Sequence, residues 1–262
     1  MSETLSSAEL AVLAAAVGSN ASPWIEDSAL LELDRPILTQ RLAAAREGLE
    51  LREIARTAPD GSLSVLPPLD GLLRDALGAT VGFELQLARS GAPAERIQIG
   101  VAAGSCVAHR WLAGDSHVFY RLAGPAEIVD EVMQLGGAGL PAPAEAREYR
   151  IPQAVVTALA RNPAEPEESL RAMLIGAQVI PADVEALLRA GLAPASQCVF
   201  WSIGLQGEQV QARALMWFSD AATGWMITNF DDAGQVTLQR AGEADIRRAV
   251  ASVVAAAIQL AA

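Results

Sequence analysis

Two stretches of the chain, about 115 residues apart, repeat one pattern, and this repeat limits the possible folds more than any other feature. Residues 68–79 read PLDGLLRDALGA and residues 182–193 read ADVEALLRAGLA. Both contain the triplet LLR, both space their apolar residues three and four apart, and both begin at or directly after a proline, Pro68 and Pro181. The spacing predicts a short amphipathic helix in each place.

Each predicted helix is followed by four segments that have strand character and are separated by turn residues. A helix then begins in a similar phrase in each half, at Ala123 and at Ala241. Because helices must cover an apolar sheet face, we expect an α+β fold of two pseudo-symmetric repeats, each a helix, a four-stranded antiparallel meander and a helix. The predicted strands are residues 82–89, 96–103, 106–113 and 116–123 in the first half, and 198–206, 209–219, 224–232 and 235–240 in the second.

Two N-terminal helices are predicted ahead of the first repeat. Ser6 or Ser7 can cap the first of them before Glu9, and Pro36 lies in the first turn of the second. The domains follow from this order, although one continuous domain is the alternative. We expect the N-terminal helices and first repeat in residues 1–136, a linker rich in Gly, Pro and Ala with a short helix at QAVVTALAR in 137–166, and the second repeat in 167–262.

Charge and composition exclude several classes of function. The formal net charge is −12 and no segment concentrates basic residues, so we expect no nucleic-acid partner. No window approaches the roughly 18 uninterrupted apolar residues of a membrane helix, and the N-terminus lacks the pattern of a secretory signal. The two cysteines, Cys106 and Cys198, cannot form a disulfide framework. We therefore expect a cytoplasmic protein without membrane insertion, and its oligomeric state stays open.

The segment GDSH, residues 114–117, is similar to the start of a hydrolase signature. In the predicted sheet, however, Gly114 and Asp115 form a two-residue hairpin turn. Because side chains alternate along a strand, this register puts the only two histidines on opposite faces, where they cannot share a metal or a proton relay. A catalytic serine needs a base within hydrogen-bond distance, so we predict no catalytic residue, no metal and no cofactor. The register would pair Ala113 with Ser116, His109 with Tyr120, and His117 with Leu112.

The hairpin of residues 209–219 and 224–232 carries apolar side chains on both faces. Two apolar faces need two covers, and the helices of the repeat or the other half of the chain can provide both. If part of one face stays open, it forms a protein-binding surface. One face carries Met216, Phe218, Trp225 and Ile227. The other carries the predicted partner-binding residues Leu215, Trp217, Met226 and Phe230.

Several phrases resemble the EspG family of type VII (ESX) secretion-associated proteins. In chain order they are LAAAREGLELRE, DGSLSVLPPLDGLLRDAL, IPADVEALLRAGL, ALMWFSDAATGWMIT and AGEADIRRAVASVV. The resemblance covers nearly the whole chain and implies a pseudo-symmetric α+β chaperone of the cytosol, which holds helical PE–PPE substrate pairs soluble before export and catalyses no reaction. In SDAATGW, Trp225 replaces the basic residue expected of the family, and the identity of the partner therefore stays open.

Three functions remain after these arguments. The first is a non-enzymatic chaperone or adaptor that binds an apolar helical protein partner. The second is an enzyme or small-molecule-binding protein that uses a cleft between the two repeats, where His109, Tyr120 or Arg121 would supply polar groups. The third is a winged-helix regulator, which the opening LSSAELAVL suggests and the acidic charge opposes.

Overall fold

The structure is a computed structural model that describes residues 3–18, 30, 32–102, 104–112, 115–137, 139–160, 166–206, 209–220, 222–231 and 233–261. These residues form two compact units. The first comprises residues within Met1–Gly82 and Glu95–Pro125, and the second comprises residues within Phe83–Ala94 and Ala126–Ala262. None of the described helices has both the length and the apolar character needed to span a bilayer.

The described residues form helices and strands in both parts of the chain. The first part contains β1 (Glu3–Ser6), α1 (Ser7–Ala16), α2 (Arg35–Leu51), β2 (Ala55–Thr57), β3 (Leu63–Val65), α3 (Leu69–Leu77), β4 (Val81–Arg89), β5 (Glu95–Ala102), β6 (Ser105–Leu112) and β7 (Ser116–Leu122). The second contains α4 (Pro125–Gly136), β8 (Glu148–Pro152), α5 (Gln153–Ala160), α6 (Glu167–Gly176), α7 (Pro181–Leu192), β9 (Ser196–Gln206), β10 (Gln209–Ser219), β11 (Gly224–Thr228), β12 (Gln235–Arg240) and α8 (Glu243–Ala261).

In the first unit, the strands lie in the order β1-β7-β6-β5, and the pairs β1–β7, β7–β6 and β6–β5 are antiparallel. Helix α1 begins with a capping box, in which the Glu9 N–H donates to Ser6 Oγ at 3.3 Å and the Ser6 N–H donates to the Glu9 carboxylate at 2.8 Å. Ser6 is therefore the cap, and Ser7 is the first residue of the helix. The core of this unit includes Leu5, Leu10, Leu13, Leu49, Leu73 and Phe119.

In the second unit, the strand order is β4-β9-β10-β11-β12-β8. Helices α5, α6 and α7 pack over the sheet face that carries Met216, Phe218, Trp225 and Ile227, and together they form one buried cluster. Helix α8 packs against β9 and β10. Its apolar stripe explains this packing, because Ile246, Val250 and Val254 are all buried.

The α+β class is confirmed, and each of the eight predicted strands corresponds to a strand of the structure. Strands β1 and β8 were not predicted. The segment 137–166, which we predicted as a linker, contains β8 and also α5, the latter at the predicted short helix. The compact units divide the chain differently from the predicted domains, because β4 from Phe83 onward groups with the second unit.

Two predicted details of the strands are wrong. Strand β11 ends at Thr228, before the predicted end at residue 232. Asn229 has a φ of 53°, and the Asp231 carboxylate accepts a hydrogen bond from the Gln235 N–H at 2.8 Å. Asp231 and Gly234 therefore lie in a turn of the kind that aspartate and glycine favour, in which the Gly234 N–H donates to the Asp231 carbonyl.

The second error is the register of the β6–β7 hairpin. Leu112 pairs with Ser116, so the loop contains three residues, 113–115; Ala113 and Gly114 lie outside the described residues, and Asp115 has a φ of 64°. A shift of one residue moves every side chain to the other face of a sheet. The histidines therefore lie on the same face, contrary to our prediction. His109 pairs with Phe119, and His117 pairs with Trp111.

Candidate functional site

A groove with a volume of about 950 Å³ lies in the second unit, between α8 and the strands β9 to β12. Strand β10 contributes Leu215, β11 contributes Met226, and the turn after β11 contributes Phe230. Helix α8 forms the opposite wall with small side chains, Ala249 and Ser252. Because these two side chains are short, α8 leaves space above the strands.

Unequal strand lengths leave one edge of β10 open beside this groove. Strand β9 pairs with β10 from Gln209 to Ser219, whereas β11 pairs with it only from Met216 to Ser219. Within the described residues, the part of β10 before Met216 is therefore paired on one side only. An open edge presents backbone N–H and C=O groups that can bind another chain.

The groove exposes large apolar side chains. Phe230 lines the groove and is 41% exposed. Ile203 on β9 is 37% exposed and borders the groove around the open edge of β10, because its pairing with Ala212 puts its side chain on the sheet face opposite Leu215. Trp201, also on β9, is half-buried on the same face as Ile203. Single exposed apolar residues are common on protein surfaces, but a group of them in one concave site is typical of a site that binds a protein or an apolar ligand.

The charge of the groove differs in sign from that of the chain. Its charged lining residues are Arg213, Arg248 and Asp245. The side chain of Arg248 is 77% exposed and hydrogen-bonds Asp245 at 3.1 Å. Arg213 is exposed and forms no ion pair with a described residue. The groove therefore has a net positive charge within a chain of formal charge −12.

The structure brings together three of the four predicted partner-binding residues. Leu215 (1% exposed) and Met226 (3% exposed) form the floor of the groove, and Phe230 lies exposed at its rim. Trp217 is not among the lining residues; it is fully buried, and its Nε1–H donates to the Gly136 carbonyl at 2.7 Å. Ile203, Arg213 and Arg248 were missed, because nothing in the local sequence shows where β11 ends relative to β10.

A second polar group of side chains lies in the first unit. His117 Nε2 is 2.8 Å from Ser7 Oγ, and His117 Nδ1 is 2.9 Å from His109 Nε2. The Ser7 hydroxyl also donates to the carboxylate of Asp115. Ser7, His109 and His117 are each only 4% exposed. The chain of hydrogen bonds therefore connects the start of α1 to the β6–β7 hairpin.

The distances of this chain are those of a serine nucleophile with a base and an orienting residue, but the surroundings favour a structural role. A nucleophile must be reached by a substrate carbonyl, and Ser7 Oγ is buried and already hydrogen-bonds two partners. The polar groups proposed for an enzymatic cleft are also separated. Tyr120 lies on the opposite sheet face from His109, and Arg121 is paired with Asp75 at 2.8 Å.

Metal and thiol chemistry receive no support from the described residues. Among them, no group of three or more His, Cys, Asp or Glu side chains could hold a metal ion. Burial raises the pKa of the Cys198 thiol to about 12, and its Sγ lies 3.4 Å from the Gly136 carbonyl oxygen. A thiol with so high a pKa is a poor nucleophile at neutral pH.

No protein-family model matches the chain, and no curated protein matches it. A solved structure does. It contains EspG5, the type VII secretion system chaperone of Mycobacterium tuberculosis, in complex with the PE25–PPE41 dimer; the TM-score is 0.69 at 14% sequence identity, over 99% of this chain and 96% of the matched chain. The chain has an EspG-like fold. At this level of identity, the similarity concerns the fold alone.

Proposed function

We propose that the protein is a non-enzymatic chaperone or adaptor and that it binds an apolar helical segment of a protein partner in the groove beside α8. The observation that carries the proposal is the open groove over Leu215 and Met226, with Phe230 exposed at its rim. The EspG-like fold supports it, because the similar structure holds a chaperone with a bound protein dimer. A type VII secretion substrate is the partner class that this similarity suggests.

The groove has room for a short helical segment. Its volume is about 950 Å³, and two turns of an α-helix, about 10 Å across and 11 Å long, occupy about 850 Å³. Amphipathic helices bind in such grooves through apolar residues on one face. The small residues Ala249 and Ser252 on α8 would allow the backbone of the incoming helix to approach closely.

The charges of the groove define the second feature of the partner. Arg213 and Arg248 face the groove and exceed its one carboxylate, Asp245. An incoming helix with acidic residues beside its apolar face would complement this charge, whereas a basic helix would be repelled at the groove. The partner is therefore an amphipathic helix with acidic flanks.

We also interpret the chain as an internal duplication that acts in the cytoplasm. In the first unit β1 lies beyond β7, and in the second unit β8 lies beyond β12. A short strand thus extends each predicted meander in the same way. This similarity supports the two repeats, with boundaries at 1–136 and 167–262, as the origin of the fold.

The test is affinity purification of the tagged protein from its native host, with a groove variant and a matched control. Phe230→Asn places an amide at the rim of the groove, and Val210→Asn makes the same type of change at a residue of β10 that is 64% exposed, lies on the opposite sheet face from Leu215 and does not line the groove. We expect wild type and Val210→Asn to retain one helical protein in near-equal amount, and Phe230→Asn to retain at least about tenfold less, a loss of about 1.4 kcal/mol. Equal recovery with both variants, or recovery of no protein by wild type, would contradict the proposal.

A further inference from the structure

The chain contains two histidines in its whole sequence, and they contact each other. His109 Nε2 and His117 Nδ1 are 2.9 Å apart, and each residue is 4% exposed. Apart from perturbed groups, histidine is the only side chain that changes its charge between pH 5 and 8. Among side chains with ordinary pKa values, a charge change in that pH range is therefore expected at this pair.

The pair holds the N-terminal strand in place. Strand β1 is the outermost strand on its side of the sheet, and its Leu5 pairs with His117. Directly after β1, Ser7 hydrogen-bonds His117 Nε2 and the Asp115 carboxylate. The side chain of Leu5 is fully buried. A change in the hydrogen bonds of the histidine pair therefore affects the pairing of β1, the edge strand on this side of the sheet.

Few charged groups surround the pair. Asp115 Oδ1 is 3.9 Å from His117 Nε2. From β5, Gln98 is paired with His109, and the Arg96 guanidinium lies over the Trp111 ring at 4.7 Å. The Asp115 carboxylate is therefore close enough to respond to a charge on His117.

The remaining neighbours are apolar or already paired. Helix α3 contributes apolar residues beside His109. From β1 and α1, the carboxylates of Glu3 and Glu9 form ion pairs with Arg52, at 3.3 and 2.9 Å. Phe119 on β7 stacks on the His109 ring with centroids 4.2 Å apart. The apolar residues of α3 beside His109 are Leu73, Ala76 and Leu77.

We propose that Ser7, His117 and His109 form a proton-operated latch on the N-terminal strand, closed at neutral pH and loosened by acid. In the closed latch, one imidazole donates a hydrogen bond to the other. One added proton can be held on one ring while the other ring stays neutral and accepts the hydrogen bond between them, and the Asp115 carboxylate lies near enough to balance a charge on His117. A second added proton would leave both facing nitrogens with a hydrogen and would place two positive charges in a buried site.

Acid therefore favours the open latch. When Ser7 and β1 separate from His117, this imidazole reaches water and no longer needs to accept or donate the hydrogen bond to His109. Each ring can then bind its own proton, so the open state binds one proton more than the closed state. The equilibrium then shifts toward opening as the pH falls, by up to tenfold per pH unit. With an ordinary histidine titrating near pH 6.5, the shift between pH 7.5 and 5.5 is about tenfold.

Four groups with shifted pKa values keep one charge state in this pH range. A hydrogen bond from the Ser62 side chain lowers the pKa of Asp60, and the backbone hydrogen bond from Gln235 lowers the pKa of Asp231, so both remain ionised. Burial raises the pKa of Tyr149 and of Cys198, so both remain neutral.

The test is hydrogen–deuterium exchange of the full chain at pH 7.5 and 5.5, corrected for the intrinsic pH dependence of exchange. We expect the opening constant of the amides in Glu3–Ser6 to rise about tenfold at pH 5.5 in wild type, while amides of β11 in the second unit do not change. In His109→Gln, a single imidazole beside Asp115 remains, and we expect less than a twofold change with pH. The variant His109→Phe leaves the same single imidazole beside Asp115 and serves as the second test, with the same expectation, should His109→Gln fail to fold. A wild-type change below twofold, or an equal rise in the variant, would overturn the latch.

Discussion

Replacement of Trp217 separates residues that hold the fold from residues that bind a partner. Trp217 was predicted as a contact residue, but its side chain is fully buried and its Nε1–H donates to the Gly136 carbonyl. The packing there is close, since a Cβ on Gly136 would lie 3.1 Å from Trp217 Cζ2 and 2.7 Å from Cys198 Sγ. Removal of the indole therefore leaves a cavity between α4 and the sheet.

The magnitude follows from these contacts. A buried Trp→Ala change costs about 3–5 kcal/mol of unfolding free energy, out of a total of about 5–15 kcal/mol for a typical domain. Trp217→Phe keeps most of the ring and loses mainly the hydrogen bond to Gly136, for about 1 kcal/mol. Phe230→Ser, at a side chain that is 41% exposed, should cost less than about 1 kcal/mol.

Urea denaturation followed by circular dichroism at 222 nm measures the three variants. We expect the order of destabilisation Trp217→Ala, then Trp217→Phe, then Phe230→Ser. We also expect Trp217→Phe to retain the partner, because Trp217 does not line the groove. If Trp217→Ala loses less than about 1 kcal/mol, the indole is not a packing residue and the assignment of its role is refuted.

Three further predictions concern buried polar groups in the second unit. Asp183 is fully buried and accepts hydrogen bonds from Arg147, Arg240 and Tyr149. Asp183→Asn should therefore lower the unfolding free energy by about 3 kcal/mol, as measured by urea denaturation. The control Glu167→Gln, at an exposed acid, should lower it by less than about 0.5 kcal/mol. Because burial raises the pKa of Cys198 to about 12, iodoacetamide at pH 8 should modify this thiol in the folded protein at less than about a hundredth of its rate in the urea-unfolded protein. Mass spectrometry measures the adduct, and equal rates in the two states would contradict the burial of Cys198. Burial opposes ionisation of Asp220, but hydrogen bonds from the Ala222 and Thr223 N–H groups outweigh it and lower its pKa. Its stabilising effect is thus full above the ordinary aspartate value and lost as the pH falls through the lowered one, so the stability deficit of Asp220→Asn should shrink below pH 4 in urea titrations.

Helices and most strands could be predicted because their signals are local. The Ser6 and Glu9 capping box defines the start of α1, and LLR phrases with the right spacing predict α3 and α7. Strands β1 and β8 carry no comparable signal. Each has at most five residues, and each forms by pairing with a strand distant in the sequence, which short alternating patterns do not reveal.

The histidine chain shows how one residue of register changes a functional interpretation. A two-residue turn at Gly114 and Asp115 fits the sequence, and it separates His109 from His117. The actual three-residue loop brings them within 2.9 Å, because a one-residue shift moves a side chain to the opposite face. Turn length is set by the pairing of both strands, and the local sequence was compatible with both turns.

The groove was predicted in part. Alternation placed Leu215 and Met226 on one face, as in the structure, whereas Phe230 reaches the groove from the turn after β11. Apolar character alone cannot distinguish a buried side chain from an exposed one. Trp217 was included for that reason. The groove itself depends on β11 ending before β10 does, and on the small residues of α8 opposite.

Site-specific photo-crosslinking in the native host tests the central claim most directly. A benzoyl-phenylalanine at position 230 places the crosslinker at the rim of the groove, and the same residue at Ile175, which is 56% exposed on α6, provides a control at an apolar surface that does not line the groove. The account predicts that position 230 crosslinks one helical protein, that the Arg213→Glu change weakens the adduct, and that position 175 gives no such adduct. An adduct with the same protein from position 175 and none from position 230 would show that the partner binds elsewhere.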